Sequence, residues 1–417
     1  MFALVDCNNF YVSCERVFNP ACRNKPVVVL SNNDGCIISR SEEAKKLGIK
    51  MAEPAFKIKE LIEKNKVAVF SSNYALYGNM SERVMNTIAT LVKDMEIYSI
   101  DEVFLDMKGY ANESLSDFAY RIRNRVFQWT GVPVSVGIGS TKTLAKIAAK
   151  IAKKNTGVFI FTESEKSDEI LNKYPVEDIW GVGRQYAHFL KKFGYDTALK
   201  LKNSDDAFMK KYMKIVGLRT VYELRGIPCY KLQTHVPMKE NICTARSFGK
   251  MTEDFETIAE ATANYTATCA RKLRKMKACA SLITIFLQTN YFREDLGQYN
   301  NAKVLHIPVA TNATNELIFY ALSGLRLIYK KGYLYKKAGV IVSGISSENE
   351  QQLSLMGNEA HKTNEKLMKV FDAINEKMGK DKLRFAAQGF DRKWKLRQEK
   401  LSPNYTTKWE DILKISL

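Results

Sequence analysis

Apolar residues along this chain change their rhythm three times. Up to about residue 165, short continuous apolar runs alternate with longer stretches whose apolar positions recur every three or four residues. The short runs predict strands at 2–6, 27–30, 97–99, 103–107 and 134–138, and the longer ones predict helices, notably at 115–129 and 143–154. A short helix is also expected at 41–47, stopped by Gly48. Strand and helix in alternation read as mixed α/β. From 166 to 235 the pattern turns helical, broken at Ile179-Trp180-Gly181-Val182-Gly183-Arg184 and resumed by an amphipathic stretch at 186–193. Beyond a connector at 228–238, strands expected at 281–287, 302–308 and 338–343 alternate with helices at 258–275 and 314–329. The final stretch, about 70 residues of mixed polar composition with Gly, Asn and Lys breaks, reads as a partly ordered tail.

Three acidic residues interrupt this pattern where sheets tolerate them least. Asp6 ends the first run, and Asp101 and Glu102 sit in the later run Ser99-Ile100-Asp101-Glu102-Val103-Phe104-Leu105-Asp106. One explanation is local: Asp6 caps a helix starting near Asn9, and Asp101-Glu102 form a hairpin turn. The other is a shared divalent cation. Mg²⁺ takes carboxylate oxygens plus substrate phosphates, and two such ions roughly 3.5–4 Å apart serve phosphoryl transfer. Asp106 is set aside as a ligand by strand alternation.

The formal net charge of +19 directs the chain towards polyanions, nucleic acid first. An anionic membrane surface competes, but no long basic amphipathic segment with a bulky apolar face supports it. Length and a 46% hydrophobic fraction allow two to four soluble domains. The eight cysteines include no Cys-x-x-Cys pair and the four histidines are scattered, which argues against zinc and against a disulfide framework. With no secretory leader and no membrane-length apolar run, the chain reads as cytoplasmic.

Tyr11 and its neighbours shift the balance between the two explanations of the carboxylates. The segment Asp6-Cys7-Asn8-Asn9-Phe10-Tyr11-Val12-Ser13-Cys14-Glu15, followed later by Ser-Ile-Asp-Glu, an apolar run and Asp, resembles the Y-family translesion DNA polymerases, and their UmuC branch most closely. The same holds for Val28-Val29-Leu30-Ser31-Asn32-Asn33-Asp34-Gly35-Cys36, Ser39-Arg40-Ser41, Ala245-Arg246-Ser247-Phe248-Gly249 and Leu401-Ser402-Pro403-Asn404-Tyr405-Thr406-Thr407. The resemblance covers essentially the whole chain, in order. It implies a right-hand polymerase of α/β multidomain class: palm at 1–19 and 71–165, small fingers at 20–70, and a helical thumb with a helix–hairpin–helix at 166–235. A β-α-β little finger at 240–345 and a C-terminal tail at 346–417 complete it.

The resemblance also implies roles. Asp6, Asp101 and Glu102 are the expected catalytic and metal-binding carboxylates for two Mg²⁺ ions, with the Cys7 main-chain carbonyl joining them. Phe10 and Tyr11 form the sugar-binding pair, Tyr11 being the steric gate against a ribose 2′-OH. Arg40, Lys45 and Lys153 are expected on the triphosphate, with Lys154 the competing register for the palm lysine; the family's finger Tyr and Arg are replaced here by Glu42 and Lys45, and Lys lacks Arg's fork. Gly35, Cys36 and Ile38 form a loose roof over the nascent base pair. Gly181, Gly183 and Arg184 present backbone N–H groups and a cation to a DNA phosphate, joined by Arg246 and the basic run Arg271, Lys272, Arg274 and Lys275. Within the tail, Gln352, Leu353, Leu355 and Met356 resemble a sliding-clamp-binding peptide. Primer–template DNA, dNTPs, a processed UmuD dimer, RecA and the clamp are the implied partners, in a bacterial cytoplasm at the nucleoid. The rival readings are a non-enzymatic damaged-DNA-binding subunit and another palm enzyme such as a nucleotide cyclase.

Overall fold

The chain divides into two units: Met1–Ser31 with Gly35–Val236 and Lys400–Leu417, and Asn32–Asp34 with Pro237–Glu399. The computed structural model describes residues 1–110, 114–162, 165–234, 237–350, 359–379, 381–392 and 394–414.

In the first unit, strands β1 (Phe2–Cys7), β2 (Val27–Leu30), β3 (Ile37–Arg40), β4 (Ala68–Ser71), β5 (Met95–Ile97), β6 (Glu102–Asp106), β7 (Val134–Gly139) and β8 (Val158–Ile160) form two sheets. The larger has the order β5-β6-β1-β7-β8, with β1 central and antiparallel to both neighbours. Every residue of β1 is buried, which is why its sequence is a continuous apolar run instead of an alternation. Ala3, Val5, Val103 and Leu105 belong to the core with helices Phe10–Phe18, Tyr74–Ala89 and Leu115–Thr130. Phe2, Leu4 and Phe104 pack on the opposite face against Ala145 and Ala149 of helix Lys142–Ala152. That helix approaches β7 with nothing between the backbones: a Cβ added at Gly137 would lie 2.0 Å from the Ala149 nitrogen. The smaller sheet, order β3-β2-β4, carries the expected short helix, found at Glu42–Lys46 with Ser41 accepting the Ala44 N–H at its start.

Helices Glu165–Lys173, Arg184–Lys192, Ala198–Lys202 and Asp206–Leu224 surround a separate core of Leu171, Ile179, Leu190 and Val221. Buried Glu223 accepts the N–H groups of Thr143 (3.0 Å) and Cys229 (2.6 Å), so its carboxylate links this helical region to the start of helix Lys142–Ala152.

The second unit is a sheet of β9 (Asn241–Thr252), β10 (Ala278–Thr289), β11 (Asn300–Thr311) and β12 (Tyr335–Ser347), in the order β11-β10-β12-β9 and antiparallel throughout. Helices Phe255–Lys275 and Thr314–Ile328 cover one face, burying Ile285, Leu287, Val340 and Val342. β9 was not expected from the sequence, because it is an edge strand whose alternation is interrupted by Arg246 and Lys250.

The tail corrects the sequence reading. Its described residues first finish β12 with a short turn, then resume as helix Glu359–Met378 and continue as a packed strap. Asp372 takes a bidentate pair of hydrogen bonds from Arg274 (2.6 and 2.8 Å), and Trp394 is buried edge-on against Tyr265 while its indole N–H donates to Glu260. From Lys400 the chain rejoins the first unit, where the Ser71 N–H donates to the Lys400 carbonyl (2.9 Å). Composition averaged over a polar segment conceals such anchors, because single aromatic and hydroxyl residues at irregular spacing leave no period to detect.

Candidate active site

Asp6 is the fifth residue of β1 and pairs directly with Glu102, the first residue of β6. Alternation from Phe2 and Leu4 sets Asp6 on the face covered by helix Lys142–Ala152, and alternation back from Phe104 sets Glu102 on the same face. Asp101 lies in the turn between β5 and β6, where its carbonyl accepts the Cys7 N–H (2.8 Å) and its carboxylate accepts the Ser99 hydroxyl (2.6 Å). The hairpin explanation of Asp101-Glu102 is therefore true as geometry, and it brings both residues to the strand end that carries Asp6. The capping explanation of Asp6 is not: helix Phe10–Phe18 has Asn9 at its cap. Asp106 shares the face of Glu102, so alternation does not remove it. It is removed by distance, four residues or about 13 Å along the strand, where it accepts the Lys108 N–H instead.

Like charges directly opposite on neighbouring strands destabilise a sheet. The structure answers them with lysines. Lys153 Nζ lies 2.6 Å from Asp6 and Lys146 Nζ lies 2.9 Å from Glu102. Burial, opposed by Lys153 and helped by Glu102 and Asp101, still pushes the Asp6 carboxyl up to about 6, at 9% exposure. With their oxygens turned to these partners, the carboxylates do not converge, and no group of three metal-binding side chains is drawn together among the described residues. The donor set nevertheless suits a hard divalent ion: only oxygens, at a strand end that already demands positive charge. Cys7 is buried beside Asp6.

Lys146 was missed by sequence reasoning, as was Lys142, whose buried Nζ contacts Glu96 (2.5 Å) and the Lys231 carbonyl (2.9 Å). The signal was present. Lys142, Lys146, Lys150 and Lys153 recur at intervals of four, four and three, one stripe of a helix.

Phe10 is buried in the core, and Tyr11 is half-buried. The Tyr11 ring stacks on Tyr77 at 4.5 Å and meets Tyr74 edge-on at 6.0 Å. In the smaller sheet, Lys45 is paired with Glu42 (2.5 Å), which also accepts from Asn9 (3.1 Å), and Arg40 donates to the Ile49 carbonyl. Gly35 and Cys36 are partly exposed just before β3, and Ile38 packs from β3 against the main core.

Gly181 has φ +89°, a conformation that only glycine holds without strain. It turns the chain so that Gly183 caps helix Arg184–Lys192, with Gly183 and Arg184 both exposed. In the second unit, Arg246 and Arg271 line one cavity of about 200 Å³ with Tyr265 and Lys275, and Lys272 is exposed. Arg274 is different: its guanidinium is shared between Asp372, the Asn312 carbonyl and Thr314. The peptide Gln352, Leu353, Leu355 and Met356 lies outside the described residues.

With this geometry in view, comparisons with known proteins agree. Residues 5–150 match the impB/mucB/samB family, 239–355 its C-terminal domain, and 365–415 a domain of unknown function (DUF4113). Protein UmuC of Salmonella typhimurium is 42% identical over 100% of both chains. DNA polymerase IV 1 of Bacillus subtilis is 28% identical over 92% of each. The solved structure of a Y-family DNA polymerase chimera of Dbh and Dpo4 superposes with a TM-score of 0.68 at 20% identity, covering 83% of this chain and 100% of that one. The fold is that of a Y-family polymerase, and by its full-length relationship to UmuC the chain belongs to the impB/mucB/samB family.

Proposed function

We infer that this chain is a DNA-directed DNA polymerase of the Y-family, performing low-fidelity translesion synthesis in the bacterial SOS response. The observation that carries the reading is the pairing of Asp6 with Glu102, with Asp101 beside them, at one end of a palm-like sheet. Asp6, Asp101 and Glu102 hold the divalent metal, as two Mg²⁺ ions, together with the Cys7 carbonyl. Bound there, such ions lower the pKa of a primer 3′-OH and neutralise charge at the triphosphate. The chain's own residues then position the reactants, since phosphoryl transfer needs alignment and charge compensation more than a protein nucleophile.

Phe10 and Tyr11 receive the sugar, and the half-buried ring of Tyr11 is the gate against ribose. Lys153 supplies the palm cation for the triphosphate. Arg40 and Lys45 are the finger cations, and the Glu42 partner of Lys45 weakens that contribution. Gly35, Cys36 and Ile38 form the roof, and a roof this small discriminates little by shape. Gly181, Gly183 and Arg184 grip a phosphate of the duplex, with Arg246, Arg271, Lys272 and Lys275 adding basic surface on the second unit. Arg274 is left out because its donors are already engaged. The division into palm (1–19, 71–165), fingers (20–70), thumb (166–235) and little finger (240–345) follows the same reading, with the substrate DNA in the cytoplasm at the nucleoid.

Primer extension on a synthetic template with Mg²⁺ and dNTPs tests the reading. Template-directed extension is expected, and binding without extension would return the chain to the non-enzymatic alternative. By resemblance, a processed UmuD dimer, RecA and the sliding clamp are partners, the last through Gln352, Leu353, Leu355 and Met356. Gln352→Ala with Leu355→Ala should remove clamp stimulation and leave clamp-free extension unchanged; stimulation that survives both changes excludes this peptide.

A further inference from the structure

Glu15 is 1% exposed, an uncommon place for a carboxylate. Neither of its hydrogen-bond donors is a cation: the Tyr77 hydroxyl donates at 2.6 Å and the Ser402 hydroxyl at 3.0 Å, both to Oε1. Ser402 itself is held twice more. Its carbonyl and its hydroxyl both accept from the Asn73 side-chain N–H₂ (3.0 and 3.2 Å), while Asn73 Oδ1 caps helix Tyr74–Ala89 by accepting the Leu76 N–H (3.1 Å). On either side the strap is fastened by the Ser71–Leu401 bridge and by Tyr405 stacked on Phe18 at 4.8 Å. The first turn of that helix carries Tyr74 and Tyr77, two of the rings that touch Tyr11.

We propose that residues 401–405 are a built-in brace for the sugar gate: Ser402 fixes Glu15, Glu15 fixes the Tyr77 hydroxyl, and the Tyr77 ring backs Tyr11. This rests on the reading of Tyr11 as the gate, and it gives the end of the domain of unknown function a task in substrate selection. Ser402, Glu15 and Tyr77 are positioning residues that touch no substrate. A gate excludes a 2′-OH only while its ring cannot retreat, and a ring whose backing is pinned at its far hydroxyl cannot slide. A steric filter set by one such contact is sensitive to a shift of a few tenths of an ångström.

The test is the ratio of kcat/KM for dCTP to that for rCTP opposite template guanine, in the full chain. Ser402→Ala and Tyr77→Phe, each removing one hydroxyl, should each lower the ratio about fivefold, the worth of one hydrogen bond, with dCTP incorporation within about twofold of wild type. Their double variant should fall less than the product of the singles, because both act through Glu15. Ser402→Thr, which keeps a hydroxyl, should restore the ratio. A segment that merely stabilises would lower the melting temperature and leave the ratio alone. Tyr11→Ala separates the two ideas. If it collapses the ratio while Ser402→Ala and Tyr77→Phe hold it, the brace is wrong and the gate stands; if it leaves the ratio unchanged, gate and brace both fall. Should Ser402→Ala fail to fold, Tyr77→Phe decides alone, since it leaves the strap sequence intact.

Discussion

Two carboxylates nine residues apart, Asp6 at the open end of the central sheet and Glu15 on the buried side of helix Phe10–Phe18, are compensated in opposite ways. Both are buried, and burial raises the pKa of both. Asp6 faces a lysine and two further carboxylates, so its environment has movable cations and surplus negative charge. Glu15 faces two hydroxyls held in the core, which accept no charge and go nowhere. The first arrangement is unfinished without a further cation and suits chemistry. The second is complete in itself and suits position. Burial of a charge therefore says little about function until its partners are known.

The comparison breaks first at the sheet end. Asp6→Asn, Asp101→Asn and Glu102→Gln should each lower single-turnover incorporation by about 10³-fold, on the scale of removing preorganised charge compensation. Primer–template affinity should stay within about threefold, and the melting temperature should be no lower in Asp6→Asn, which removes a buried charge. A variant that keeps most of its rate takes that residue out of the metal set.

Next in size is a third kind of pairing, a partly buried bidentate one. Arg274→Ala removes the partner of Asp372 and should destabilise the second unit by about 1–3 kcal/mol, read by denaturant unfolding. DNA affinity lost without any loss of stability would return Arg274 to the DNA surface. Tyr11→Ala should cost roughly 10- to 100-fold in sugar discrimination, the range of a steric clash of 1–3 kcal/mol, measured with dCTP and rCTP. Unchanged discrimination would make Tyr11 a core residue only.

The smallest effect sharpens the Glu15 side. Its carboxyl is raised chiefly by burial, against the hydrogen bonds from Tyr77 and Ser402. The folded state thus binds its proton more tightly than the unfolded chain, and that stabilisation is complete below the ordinary glutamate range and lost as pH rises through the raised value. Relative to Glu15→Gln, the wild type should lose thermal stability from acid towards neutral pH. A difference that stays flat would show that the two hydroxyls satisfy the charge fully.

What the sequence disclosed follows the same divide. β1 was legible because a fully buried strand leaves a continuous apolar run, β6 by its apolar centre Val103-Phe104-Leu105, β7 by the alternation of Val134, Val136 and Ile138, and helix Leu115–Thr130 because one of its faces repeats. Asp6, Asp101 and Glu102 were legible because acids are conspicuous in such runs. Lys146 was readable only once a sheet end existed for the stripe Lys142-Lys146-Lys150-Lys153 to face. β9 was hidden by its edge position, and Ser402 and Trp394 by isolation: each makes its contacts with residues more than a hundred positions away, and no local pattern records that. The reason given for discounting Asp106 was also wrong, since parity along a strand decides the face and only length decides the end.

The contact of Gly137 with helix Lys142–Ala152 bears on how this sequence can drift. The depth at which the lysine stripe sits over the carboxylates is set by backbone against backbone, so it cannot be tuned in small increments. Every replacement at 137 adds volume and none removes it. The position is a mechanical stop that mutation can only push one way, and a lineage that loses it must move the whole helix to recover. Among tolerated substitutions in a deep mutational scan, residue 137 should stand out as an empty column, with the neighbouring apolar core positions freely exchanging one hydrocarbon for another.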